Sequence, residues 1–144
     1  MRLTTFSDYT LRVLMYLALE REGLATIPEI AAAYGISENH LMNVVHQLAK
    51  SGLIESVRGK GGGIRLAREP AEIRLGDVVR EAEGDAPIVE CLSGESPTCR
   101  IAPVCKLQGA LVDGFAALYE RLNRYTLRDL VSNDRKLLVA LARK

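Results

Sequence analysis

Cys91, Cys99 and Cys105 carry the most specific chemistry in this sequence. Seven residues separate the first pair and five the second, whereas zinc modules pair cysteines two to four residues apart. Their odd number argues against a disulfide framework. Such a wide spread suits a loop wrapped around something large. Thiolates favour soft ions, and an iron-sulfur cluster has a soft, bulky surface with separated ligand sites. A cluster is therefore the first reading, with zinc, a thiol redox switch and purely structural cysteines as alternatives. Three thiols leave one position open, and Gln108 stands three residues beyond Cys105, where a nearby histidine would have served. The remaining ligand is then an oxygen donor, from Asp8, Glu90, Glu95 or water. A corner without a thiolate is open to attack by small molecules.

The second chemical surface is a polar helix face. Asn39, Asn43, His46 and Lys50 fall nearly opposite the apolar stripe Leu41, Val44, Val45 and Leu48, with His40 and Gln47 beside them. Asn and Gln pair bidentately with adenine edges, and Lys reaches guanine or phosphate. A merely solvated helix face would also be polar, and the two histidines would serve equally well as surface residues, so the flanking elements decide. A helix from Ser7 to Glu22, capped by Ser7 and stopped by Gly23, comes first. Thr26 and Glu29 then form a capping box before Ile27, Ile30, Ala31 and Tyr34, and Gly35 ends that helix. Ser37 opens the polar helix itself, with Ile36 and Leu41 as a hydrophobic staple. Two short helices joined by a tight turn make a helix-turn-helix, whose second helix enters the major groove. Leu53 to Val57 and Ile64 to Arg68 follow as strands around Arg58-Gly59-Lys60-Gly61-Gly62-Gly63, a basic hairpin wing. That tip lacks phosphate-loop spacing and leads into a strand, so nucleotide binding is set aside. The DNA-contacting set is thus Ser37, Asn39, His40, Asn43, His46, Gln47, Lys50, Arg58 and Lys60.

Beyond Pro70, Ile73 to Ala82 reads as a short amphipathic helix that buttresses the head and ends at Gly84. A Gly-, Ser- and Pro-rich loop from Pro87 to Pro103 holds Cys91 and Cys99, with Cys105 just beyond it. A long helix from about Val104 then presents Leu107, Leu111, Phe115, Leu118, Leu122 and Tyr125 at steps of four and three residues, a coiled-coil-like seam. So small a head has little chain of its own to bury that seam; a homodimer matching a palindromic operator is the natural completion, with packing on the chain's own core as the alternative. Two short helices close the chain. The expected fold is mostly α with a small β wing. Residues 1–84 form a winged helix-turn-helix domain, 85–105 a cysteine loop, and 104–144 the dimerisation helix and C-terminal helices.

Composition fits this reading. The net charge of +1 is segregated: residues 69–98 hold eight acids and two bases, residues 99–144 nine bases and four acids. No signal peptide is visible, and the longest apolar run, Val13 to Leu19, is far short of the roughly 20 residues that span a bilayer, so a cytoplasmic protein is expected. No paired His/Asp or Cys/His arrangement lies away from the DNA face, which argues against an enzyme.

Leu3-Thr4-x-Phe6-x-Asp8-Tyr9-x-Leu11-Arg12, Arg58-Gly59-Lys60-x-Gly62-Gly63-Ile64-Arg65-Leu66, Ile73 to Glu81 and Tyr125-Thr126-Leu127-x-Asp129-Leu130 together resemble the bacterial iron-sulfur winged-helix regulators, in their nitric-oxide-sensitive repressor branch. The resemblance implies a homodimer with one 4Fe-4S cluster per subunit, held by Cys91, Cys99 and Cys105 and completed by Asp8 from the other subunit. It further implies repression at a palindromic DNA operator and release when nitric oxide nitrosylates the cluster. A redox-sensing 2Fe-2S regulator is the alternative within the same fold. The branch that controls cluster assembly carries a histidine where this chain has Gln108.

Overall fold

A computed structural model describes residues 1–20, 22–94 and 98–142. Seven α-helices lie among them: α1 (Thr5–Leu19), α2 (Ile27–Tyr34), α3 (Glu38–Lys50), α4 (Leu75–Glu83), α5 (Leu107–Leu122), α6 (Leu127–Leu130) and α7 (Asp134–Ala142). The strands β1 (Ile54–Val57) and β2 (Gly63–Leu66) follow α3. This is the expected helical fold with a two-stranded wing.

Local chemistry accounts for most of these boundaries. Thr4, not Ser7, caps α1: its hydroxyl accepts the Ser7 N–H at 3.1 Å. Ser7 lies one turn inside the helix and is fully buried, so its own hydroxyl serves a tertiary contact instead. Thr26 and Glu29 form the reciprocal capping box at the start of α2, with bonds of 3.3 and 2.7 Å. α2 closes on Gly35, and Ser37 occupies the N-cap position of α3 without a side-chain capping bond. Leu41, Val44, Val45 and Leu48 all point into the core, as the stripe required. They meet Val13, Leu14, Leu17 and Ile30 there, together with Ile54 and Ile64 from the strands and Ile73, Val78 and Leu127 from beyond them. Each fully buried large side chain, such as Leu14, Ile30 or Leu41, contributes about 1.5–3 kcal/mol.

β1 and β2 pair antiparallel, with Ile54 opposite Leu66 and Glu55 opposite Arg65. Ala25, just before α2, bridges Ile64 through bonds of 3.0 and 2.7 Å and so ties the wing to the first helical pair.

The second layer is thinner. α5 docks on α4 at Gly76, where a Cβ would lie 2.3 Å from the Tyr119 carbonyl oxygen, so only glycine permits this approach. Asn123, just past the end of α5, accepts the Asp77 N–H and donates to the Asp77 carboxylate, both at 2.9 Å. Arg74 reaches the Asn123 carbonyl at 3.0 Å, and the Arg80 guanidinium sits 4.7 Å from the centre of the Tyr119 ring. α5 nevertheless has no buried residue of its own. Leu111, Phe115, Leu118 and Leu122 are half-buried, while Leu107 and Tyr125 at the ends of the seam are exposed. The helix starts at Leu107 rather than Val104, which belongs instead to a 3-10 turn, Ala102–Val104.

Candidate nucleic-acid interface and cysteine loop

The buried stripe of α3 turns its other side outward. Ser37, Asn39, His40, Asn43, His46, Gln47 and Lys50 are all exposed. Glu38 is the one acid of this helix and lies in its first turn, where the helix dipole favours it. The remaining face combines amide, imidazole and ammonium groups, the donors and acceptors that base edges and phosphates demand. Met42 adds an exposed apolar contact.

The wing tip projects Arg58 and Lys60, both exposed. Its turn closes through a 3.0 Å bond from Gly62 N–H to the Gly59 carbonyl, and a Cβ on Gly62 would meet the Val57 carbonyl oxygen at 2.2 Å. The other two basic residues of this stretch are engaged: Arg65 pairs with Glu55 at 2.6 Å across the hairpin, and Arg68 reaches the Glu72 carbonyl at 3.4 Å. Among the described residues Arg58 and Lys60 are thus the wing's cations with neither an ion pair nor a hydrogen bond.

α1 adjoins this face through Tyr9, whose ring centre is 6.0 Å from that of His40. Arg12 lies 5.8 Å from the rings of both Tyr9 and Tyr34, and the Tyr34 hydroxyl donates to the Arg12 carbonyl at 3.0 Å. Burial, partly offset by Arg12 and reinforced by Tyr16, pushes the Tyr34 phenol up to about 12. Asp8 grips Arg12 with both carboxylate oxygens, at 3.1 and 2.8 Å, and about half of its side chain is exposed.

The three cysteines sit on one loop, all as free thiols. Cys91 and Cys105 are half-buried and Cys99 is exposed. Cys91 lies in a 3-10 turn, Glu90–Leu92. Gln108, in the first turn of α5, donates to the Cys91 carbonyl at 3.2 Å, which draws the two ends of the loop together. The Glu90 carboxylate accepts from the Thr98 N–H and hydroxyl, and so closes the chain between Cys91 and Cys99. Cys99 and Cys105 are joined through Ala102, whose N–H reaches the Cys99 carbonyl at 3.2 Å and whose carbonyl accepts the Cys105 N–H at 3.4 Å. Glu95 lies outside the described residues. Among those described, no three His, Cys, Asp or Glu side chains converge as a metal site within one chain. The donor set itself, three free thiols on a loop pinned at its base, fits a soft polynuclear centre and not a hard cation.

Sequence reasoning missed two residues that fix how these elements sit on one another. Glu83 closes α4 and accepts the Ser7 hydroxyl at 2.6 Å and the Thr4 N–H at 2.8 Å. Burial raises its pKa, but the hydrogen bonds from Ser7 and Thr4 outweigh that and hold the carboxyl below its ordinary value. Asn123 was likewise unforeseen. Neither has a local signal, since their partners lie 76 and 46 residues away.

Residues 3–133 match the Rrf2 family, described as iron-dependent transcriptional regulators. The chain is 47% identical to the HTH-type transcriptional regulator NsrR of Bacillus subtilis (strain 168) over 145 residues, covering 100% of this chain and 99% of the relative. Identity to NsrR of Shouchella clausii is 46% over 142 residues, 98% of this chain and 95% of that one. Among solved structures, CymR (YrzC), the global cysteine regulator of B. subtilis, superimposes with a TM-score of 0.72 at 32% identity, covering 92% of this chain and 98% of the other. T. potens IscR does so with a TM-score of 0.73 at 28% identity, covering 92% and 88%.

Proposed function

The chain belongs to the Rrf2 family of transcriptional regulators, and from that premise we propose that it is a nitric-oxide-sensing, iron-sulfur-dependent repressor acting as a homodimer on a palindromic DNA operator. The observation that carries the reading is the pairing of an exposed amide- and base-rich α3 face with a pinned loop bearing three free thiols. The 46% and 47% identity to the NsrR relatives, spread over almost the whole chain, supports it. It is a regulator, not an enzyme.

Asn39, Asn43 and Gln47 read base edges in the major groove, while Lys50, Arg58 and Lys60 neutralise phosphates. Ser37, His40 and His46 complete the polar rim of the contact. Cys91, Cys99 and Cys105 are the residues that hold a 4Fe-4S cluster, with Asp8 of the partner subunit as the fourth donor. Such a cluster, when bound, supplies soft iron with one weakly held corner open to nitric oxide. For Asp8 to serve, it exchanges its Arg12 pair for that role, so the same carboxylate links the signal to the aromatic stack beside α3. The half-buried seam of α5 is the surface on which two copies meet. No helix of the described residues is long and apolar enough to cross a membrane, and a DNA-binding regulator works in the cytoplasm.

An anaerobic absorbance spectrum with iron and sulfide analysis tests the cofactor: about four of each per chain are expected. About two of each would favour a redox-sensing 2Fe-2S regulator, and zinc alone would overturn the iron-sulfur reading.

A further inference from the structure

The beginning of α1 is held by the end of α4. Oε1 of Glu83, the last residue of α4, accepts the Ser7 hydroxyl at 2.6 Å and the Thr4 N–H at 2.8 Å, and lies 3.1 Å from the Thr4 hydroxyl. Thr4 already caps α1 locally, which suffices to start a helix. The carboxylate, arriving from 79 residues away, is a tertiary tie added to that cap. Ser7 is fully buried, so its hydroxyl depends on protein partners and not on water.

Two features give this tie a direction. On one side, Glu83 is the root of the cysteine loop: the chain leaves α4 at Gly84 and runs on to Cys91, Cys99 and Cys105. On the other, α1 carries Asp8 in its first turn and packs through Val13, Leu14 and Leu17 into the same core as Leu41, Val44 and Leu48 of α3. Between α1, α3 and α4 lies a cavity of about 280 Å³ bordered by Phe6, Thr10, Gln47, Leu48, Val78 and Glu81. Packing there is interrupted, so the hydrogen bonds of Glu83 add to the core contact of Val78 in fixing the end of α4 to α1.

We propose that Glu83 is a positioning residue that sets α1, and through it the recognition helix α3, according to the state of the cysteine loop. A displacement at the loop's root either breaks these bonds or carries the start of α1 with it. The inference rests on the reading of the chain as a DNA-binding regulator whose loop receives the signal, and it adds the residue that joins the two.

The test uses the full-length protein, prepared anaerobically, as parent, Cys99→Ser, Glu83→Ala and the double variant; alanine is chosen because glutamine would keep an oxygen that accepts from the same donors. Operator affinity is read by fluorescence anisotropy, and amide exchange is read at Ser7 and Asp8. Cys99→Ser changes operator affinity at least about fivefold in the parent and less than about twofold in the Glu83→Ala background. It also speeds exchange in the first turn of α1 at least about fivefold in the parent, with no further gain in the Glu83→Ala background. Equal effects of Cys99→Ser in both backgrounds overturn the proposal, because a tie that only stabilises the fold would lower affinity in each and leave the coupling intact. If the protein binds no operator at all, the regulator reading falls, and the exchange comparison still decides the role of Glu83. Ser7→Ala removes the 2.6 Å bond and the 3.1 Å contact between the Thr4 and Ser7 hydroxyls but leaves the Thr4 N–H on Glu83; it should weaken the coupling even if Glu83→Ala fails to fold, and coupling as strong as in the parent would refute the proposal.

Discussion

Gly76→Ala tests how the second layer is attached to the head. The added methyl would stand 2.3 Å from the Tyr119 carbonyl oxygen and 2.5 Å from Asn123 Oδ1. The first of these is backbone, so α5 must move off α4. Overpacking of this kind costs about 1–3 kcal/mol. The displacement also strains the reciprocal Asp77–Asn123 pair and the Arg74 bond to the Asn123 carbonyl. All three are exposed, which limits their combined loss to about 1 kcal/mol. A total of about 2–4 kcal/mol corresponds to a melting-temperature fall of roughly 6–15 °C for a chain of this size. Thermal unfolding followed by circular dichroism reads this directly. Gly114→Ala on α5 is the control, since nothing lies within 4 Å of its added methyl; helix propensity makes it neutral or stabilising by up to about 1 kcal/mol. A Gly76→Ala protein as stable as the parent would refute the close docking of α5 on α4.

Three further outcomes follow from the site. Asn43→Ala should cost about 1–3 kcal/mol of discrimination between operator and scrambled DNA, whereas Lys60→Ala should weaken both alike and lower the salt slope by about one; competition titrations at graded salt separate them, and an Asn43 variant that behaved like Lys60→Ala would refute base reading by α3. Because the folded phenol of Tyr34 is raised to about 12 against an ordinary 10.0, its contribution to stability is complete below pH 10 and is lost as pH rises from there through the folded value; denaturant unfolding across that range should show the slope, and Tyr34→Phe should reduce it to the smaller part from Tyr16, whose phenol burial also raises. Asp8→Ala should make the loaded protein lose iron faster and blunt its response to nitric oxide, read by anaerobic absorbance; unchanged behaviour would remove Asp8 from the ligand set.

What was legible in the sequence was local. The Thr26–Glu29 box, the inward stripe of α3 and the glycine-rich wing each depend on residues within a few positions of one another, and each forms as expected. The start of α1 was misplaced because Thr4 and Ser7 are both capping types. Asp8 one position on favoured Ser7, yet the Glu83 carboxylate withdraws that hydroxyl into a tertiary contact. The neutralisation of Arg65 was not legible, because Glu55 faces it across the strands and the pair becomes visible only once the hairpin register is known. The three thiols were legible as a set, but the pinning of their loop was not, because the Gln108 contact depends on where α5 starts and the Thr98–Glu90 contact on how the loop itself folds back. That docking turns on a glycine whose sequence context gives no sign of a helix lying 2.3 Å from its missing Cβ.

The central claim, that operator binding depends on a nitric-oxide-sensitive centre held by this chain, is met most directly by titrating one anaerobic sample with operator DNA before and after stoichiometric nitric oxide. The account predicts a loss of operator affinity of about 100-fold, with non-specific binding little changed. Unaltered operator affinity after the iron-sulfur absorbance has been bleached would contradict it.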